Sequence, residues 1–222
     1  MKKALPTLYH NKTFLPGIIL LLAVCFLGCA SAVAQNNNID YRILRAISHS
    51  RTEAKNHFFK DVSDATSYVN YSLPAVLLIT AMIRHNKAGK QKALTILESQ
   101  LLTAACTWGI KHVFDRPRPS ENDPSFVPVV YELSASFPSG HTGESFATAT
   151  AISLAYPKWY VIIPAYAWAA TVGYSRLYLG VHYPSDVLGG AVLGSGCAFL
   201  TYKINQWWQR KQLKKKGQVQ KP

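Results

Sequence analysis

The chain has 222 residues, enough for one domain and not two, and 49% of them are hydrophobic against only 16% charged, a balance that leans towards a membrane protein. Mean hydropathy is a low +0.03, which the polar C-terminal tail and the polar stretch before residue 66 account for. The formal charge of +13 argues against a nucleic-acid partner once its distribution is read. Four Lys/Arg without an acid fall in residues 84–92 and seven in residues 203–222, each set flanking apolar sequence, as cytoplasmic loops do.

Residues 1–34 carry Lys2, Lys3 and Lys12, an apolar run from Ile18 to Leu27, and Ala32-Val33-Ala34 before Gln35. This is the pattern of a secretory signal peptide cleaved before Gln35, with an uncleaved transmembrane helix as the alternative. A lipoprotein site at Cys29 fits less well, because Phe26-Leu27-Gly28 departs from the usual approach. Both main readings send Gln35 and its neighbours to the outer face. Residues 35–65 form a polar extracytoplasmic segment with Ile39, Ile43, Leu44 and Ile47 at helical spacing. It reads as an interfacial amphipathic helix or as an ordinary surface helix or linker.

From residue 66 to 208 apolar stretches alternate with short connectors, giving candidate spans at about 66–84, 94–112, 141–156, 159–177 and 185–206. The expected fold is an all-α transmembrane bundle of about five spans, following the N-terminal signal or a sixth span. Glu98 and Gln100 lie inside a span and need cover from neighbouring helices. Trp159, Trp207 and Trp208 fall at span ends, where an aromatic belt is expected. Cys25, Cys29, Cys106 and Cys197 give no disulfide framework or zinc-like pairing and read as small buried hydrophobes. Residues 209–222 are a basic cytoplasmic tail.

With residues 84–92 and the tail inside, alternation puts Lys111, the loop 115–140 and the turn 175–184 on the outer face. Chemistry-bearing residues cluster there. Residues 175–186 read Ser-Arg-Leu-Tyr-Leu-Gly-Val-His-Tyr-Pro-Ser-Asp. Pro184 suits the first position of a helix, which leaves His182 just outside it and Asp186 in its first turn. The carboxylate can then fix one imidazole nitrogen and leave the other free to attack, with Arg176 presenting a fork of donors to an anion. A core histidine and a helix-start carboxylate are the bland alternative. Two further clusters weaken it. In Pro138-Ser139-Gly140-His141, Ser139 can cap a helix while the Gly140 and His141 amides cradle an anion. In Lys-His-Val-Phe-Asp-Arg-Pro-Arg-Pro, residues 111–119, Lys111 and Arg118 stand seven positions apart.

The three clusters in this order resemble the type 2 phosphatidic acid phosphatase superfamily, whose pattern is K-x6-R-P, then P-S-G-H, then S-R-x5-H-x3-D. Every segment matches: Lys111, Arg118 and Pro119; Pro138 to His141; Ser175, Arg176, His182 and Asp186. The repeated Arg-Pro offers Arg116 as well, and spacing selects Arg118. The resemblance covers about residues 66–208. It implies that His182 is the nucleophile of a phosphohistidine intermediate, that Asp186 orients it, and that His141 protonates the leaving oxygen and then activates water. Lys111, Arg118, Ser139, Gly140 and Arg176 are then the phosphate-binding residues. No cofactor and no metal is expected, because no carboxylate cluster suited to magnesium lies in the motif segments. Asp115, Glu121, Asp123 and Glu132 of the outer loop read as a solvated face.

The function expected from this resemblance is hydrolysis of a lipid phosphate or pyrophosphate, such as phosphatidic acid, phosphatidylglycerol phosphate, undecaprenyl pyrophosphate or lipid A. The enzyme would sit in a bacterial cytoplasmic membrane with its site facing the periplasm, among membrane lipids. Alternatives are a soluble periplasmic acid phosphatase, vanadate-dependent peroxidase chemistry on the same anion site, and a lipid-binding scaffold with a vestigial site.

Overall fold

A helix start leaves four backbone amides without an intrahelical acceptor, and two of the long helices solve this with a polar side chain at the expected place. Thr52 accepts from the Lys55 amide and Asn86 from the Gly89 amide at 2.9 Å, the ordinary N-cap arrangement. In the computed structural model, which describes residues 37–215, the elements are α1 (Asn37–Ser48), α2 (Glu53–Ile83), α3 (Lys87–Phe114), α4 (Pro119–Asn122), α5 (Gly140–Ala155), α6 (Trp159–Tyr178) and α7 (Pro184–Lys215). Among the described residues there is no strand. The signal-peptide reading of residues 1–34 lies outside the described residues.

The five expected spans correspond to α2, α3, α5, α6 and α7. By length and composition two of them, α2 and α7, are long and apolar enough to cross a membrane. The boundary expected at residue 66 is absent, since α2 runs unbroken from Glu53 and absorbs part of the polar segment. Backbone hydrogen bonds carry a helix through a change from polar to apolar side chains, so a shift in composition does not end it.

α5 is the central helix, packing against α2, α3, α6 and α7. Its approach to α7 needs glycine: a Cβ on Gly194 would lie 1.9 Å from the Gly143 carbonyl oxygen, and one on Gly190 2.5 Å from that of Ser139. Such backbone contact is what small residues permit between membrane helices. Ile96, Ala147, Ala151 and Ala198 form the apolar centre, with Leu77 and Ile152 packed around it. Gln100, a polar residue inside α3, is fully buried and donates to Thr148 Oγ1 at 2.9 Å and to the Asn70 carbonyl. Glu98 accepts from Asn205 of α7. Trp159, Trp207 and Trp208 are exposed, as are Val76, Ile79, Met82 and Ile83 on α2.

The helices put two different ends on the bundle. Lys92 at the start of α3 lies 4.2 Å from the centre of the Tyr156 ring just beyond α5, and Asn205 donates to Thr95, so the basic connectors and the C-terminal part of α7 share one end. The last turns of α3 and α6 and the first turns of α5 and α7 share the other.

Candidate active site

Pro184 occupies the first position of α7, which fixes the turn before it and leaves His182 in the α6–α7 connection. His182 is 1% exposed. Asp186, one turn into the helix, reaches back: its Oδ2 accepts from the Tyr183 amide at 2.9 Å and from Ser136 Oγ at 2.5 Å, and lies 3.5 Å from His182 Nδ1. Asp186 Oδ1 accepts from Arg116 Nη1 at 2.6 Å. A carboxylate held by three donors cannot rotate freely, so it presents a fixed acceptor edge to Nδ1.

The opposite ring nitrogen faces cations. His182 Nε2 lies 3.5 Å from Arg118 Nη1, a nitrogen that also donates to the Val181 carbonyl at 2.6 Å. Arg118 Nε donates to the Ser134 carbonyl at 2.7 Å, and Lys111 Nζ donates to Ser134 Oγ at 3.0 Å and to the Ala135 carbonyl. Arg176 is 1% exposed and donates to Ser63 of α2 and to Glu132, while its Nε–H is buried without an acceptor. An orphaned donor on a buried guanidinium is available to an anion. His141 is partly buried in the first turn of α5, within electrostatic reach of Lys111, Arg118 and Arg176.

Glu132 does not belong to a solvated loop face. Its carboxylate bridges Arg118, at 2.8 Å, and Arg176, so the cations are not uncompensated. Burial alone would raise this carboxyl, but Arg176 foremost, then His182 and Arg118, holds it down to about 2. Burial, reinforced by Arg118 and Arg176, pushes His182 down to about 4 against the opposing pull of Asp186. At neutral pH the imidazole is therefore uncharged and the carboxylate ionised.

Ser139 stands at the N-cap position of α5, but its amide donates to the Asp186 carbonyl at 3.1 Å and its hydroxyl pairs with that of Thr142 at 2.9 Å. It ties the start of α5 to the start of α7, and the Gly140 amide is left as the first of the cradle donors anticipated there. The structure thus brings Lys111, Arg118, Arg176, His182 and Asp186 together, with Ser139, Gly140 and His141 at the adjoining helix start. Sequence reasoning missed Ser136, Glu132, Arg116 and Asp40. Arg116 carried a signal in the repeated Arg-Pro. The other three lie in stretches with no motif. Among the described residues no group of three His, Cys, Asp or Glu side chains is placed to hold a metal ion.

The geometry can be set beside known proteins. The PAP2 superfamily matches residues 92–210. The undecaprenyl-diphosphatase of Sulfolobus acidocaldarius is 28% identical over 172 residues, covering 77% of this chain and 80% of that protein. The lipid A 4'-phosphatase of Bacteroides thetaiotaomicron is 33% identical over 105 residues, 45% of this chain, and the match spans about half of that relative's length, 47%. The crystal structure of the transmembrane PAP2 type phosphatidylglycerolphosphate phosphatase from Bacillus subtilis superposes with a TM-score of 0.69 at 28% identity, covering 84% of this chain and 95% of that one. These relatives and this structural neighbour are phosphatases or diphosphatases named for lipid substrates, and the matched region contains all three motif segments: this chain belongs to the PAP2 superfamily.

Proposed function

We propose that this chain is a membrane lipid phosphatase that hydrolyses a phosphate monoester or diphosphate through a phosphohistidine on His182. The observation that carries the reading is the two-sided environment of that ring, with Asp186 at Nδ1 and Arg118 at Nε2. A phosphoryl group needs its charge neutralised before a nucleophile approaches, and positioning and electrostatics do most of the work. The substrate phosphate takes the place of the Glu132 carboxylate between Arg118 and Arg176, with Lys111 and the Gly140 amide completing the cradle. His182 Nε2 attacks phosphorus as the bond to the lipid oxygen breaks, and His141, which takes up a proton once the bound phosphate's negative charge offsets the cations around it, gives that proton to the leaving oxygen. His141 then removes a proton from water, whose oxygen attacks phosphorus as the phosphorus–nitrogen bond breaks, releasing inorganic phosphate and free His182.

Acid–base help of this kind is worth about 10² to 10⁴ in rate. The cations supply the charge, so the reaction runs without a metal. The basic connector at residues 84–92 and the basic end of α7 favour a cytoplasmic placement of their end of the bundle. The site then faces the periplasm of a bacterial inner membrane. Exposed apolar side chains on α2 favour this membrane reading over the soluble acid phosphatase.

The test is phosphate release by detergent-purified protein from phosphatidic acid, undecaprenyl pyrophosphate, lipid A and a small soluble ester, with EDTA present, beside His182→Ala. Turnover of a lipid that falls by about 10⁴-fold or more in the variant is expected, since loss of a nucleophile removes a whole catalytic unit. Preference for the soluble ester, or activity that returns only with magnesium, would count against the reading.

A further inference from the structure

Asp40 is a buried acid on α1, the short helix that precedes the family-matched residues 92–210. It is 5% exposed, and an ionised carboxylate is kept in such a place only with full compensation. Its Oδ2 accepts from Arg116 Nη2 at 3.1 Å and from Ser185 Oγ at 2.5 Å, and its Oδ1 from the Ser185 amide at 3.2 Å. Arg116 in turn donates through Nη1 to Ser185 Oγ at 2.8 Å and to Asp186 Oδ1 at 2.6 Å, with its guanidinium 4.0 Å from the centre of the Tyr183 ring. One guanidinium is thus shared between two carboxylates, and the second of them is the partner of His182.

We propose that Asp40 is a positioning residue for the reaction, holding Arg116 and the first turn of α7 so that Asp186 keeps its edge towards His182 Nδ1. The inference rests on the phosphatase reading above. With Asp40 in place, Arg116 is shared between two acids, at 2.6 Å from Asp186 and 3.1 Å from Asp40, and Ser185 is tied at both its amide and its hydroxyl. Without that charge the guanidinium falls wholly to Asp186, drawing Oδ1 towards it and turning Oδ2 away from the imidazole. The side chains of Asp40, Arg116 and Ser185 bond to one another and to Asp186, and none of them donates to or accepts from Lys111, Arg118 or Arg176, so the phosphate cradle keeps its own hydrogen bonds. The rest of α1 has further anchors: Arg45 pairs with Asp123 at 2.8 Å, away from the site, while Leu44 packs with Phe126 on Tyr183 and Tyr41 donates to the Pro119 carbonyl at 3.0 Å. Docking of the helix and positioning of the site can therefore be separated by substitution.

The experiment compares full-length wild type, Asp40→Asn, Ser185→Ala, Leu44→Ala and Arg45→Ala in detergent, on whichever of the four substrates wild type turns over. It measures kcat, KM, inorganic phosphate affinity and melting temperature. Asp40→Asn is expected to lower kcat about 10- to 100-fold, the scale of a small misplacement of a reacting group, with KM and inorganic phosphate affinity within twofold of wild type. Ser185→Ala, which changes no charge but removes the hydroxyl's two hydrogen bonds, to Asp40 and from Arg116, is expected to lower kcat about fivefold. Leu44→Ala lowers the melting temperature, and Arg45→Ala leaves kcat unchanged. Wild-type kcat in both Asp40→Asn and Ser185→Ala overturns the proposal. So does a kcat loss in Asp40→Asn no larger than that of Leu44→Ala at an equal loss of melting temperature. Wild type that releases phosphate from no substrate sinks the phosphatase reading itself.

Discussion

Arg116 and Arg118 are two residues apart, yet they serve opposite faces of the same histidine. On the Nδ1 face one cation, Arg116, meets two carboxylates, Asp40 and Asp186, and each makes short hydrogen bonds to fixed partners. On the Nε2 face there are three cations, Lys111, Arg118 and Arg176, and one carboxylate, Glu132, which pairs with the two arginines and is 28% exposed. The first face is anionic, closed and built to hold still. The second carries a surplus of positive charge and a carboxylate on a loop that a stronger anion can displace. The difference teaches how one imidazole is made directional: support from one side leaves its lone pair aimed at the other.

Breaking the cationic face gives the largest effect. On the proposed reading Arg176→Ala removes a buried fork of donors from the substrate phosphate and is expected to lower kcat/KM about 10²- to 10³-fold, the range for loss of a preorganised donor. Steady-state kinetics on the lipid substrate check this, and a loss below tenfold would remove Arg176 from the cradle. Arg176→Lys restores little, because a point charge does not reproduce the fork.

Glu132→Gln sharpens the comparison instead of breaking it. If the carboxylate holds the place of the substrate phosphate, removing its charge lowers KM and tightens inhibition by inorganic phosphate, by up to about tenfold, with kcat little changed. A raised KM would mean that Glu132 supports the arginines more than it competes with substrate. Its loss also leaves two buried guanidinium groups short of a partner, so melting temperature falls in the same variant.

The smallest effect is on stability against pH. His182 is held at about 4 in the folded protein against an ordinary 6.5, so as pH falls from about 6.5 to 4 the unfolded chain binds a proton that the folded chain refuses, and stability drops across that window. Glu132, held at about 2 against 4.5, contributes stability that is full above about 4.5 and is lost as pH falls towards 2. Thermal melts of substrate-free protein between pH 7 and 4 should therefore fall in wild type more than in His182→Ala. Parallel curves would place the acid sensitivity elsewhere.

The reacting half of this comparison was largely legible in the sequence. Lys111 with Arg118, Ser139 to His141, and Arg176 with His182 and Asp186 fall in short windows, where a proline at a helix start and a helix cap mark the local pieces and the resemblance to the family pattern joins them. The supporting half was not. Asp40 bonds to Ser185 across 145 positions, Ser136 to Asp186 across 50, and Glu132 to Arg176 across 44. A single acid or hydroxyl in a loop or short helix has no period and no local partner, so Glu132 reads as solvated and Asp40 as part of an amphipathic surface.

The sequence by itself determined the all-helical class, the order of the apolar segments and the end of the bundle that bears the chemistry. All three rest on hydrophobic run length, local turn chemistry and the placement of basic connectors, which act over a few residues. Tertiary structure alone decided which way each polar group faces: that the Ser139 amide serves Asp186, that Glu132 turns inwards, and that α1 lends Asp40 to a site in the family-matched part of the chain. The physical reason is that a buried charge is satisfied by whatever the packing brings within about 3 Å, and packing brings residues together without regard to their distance along the chain.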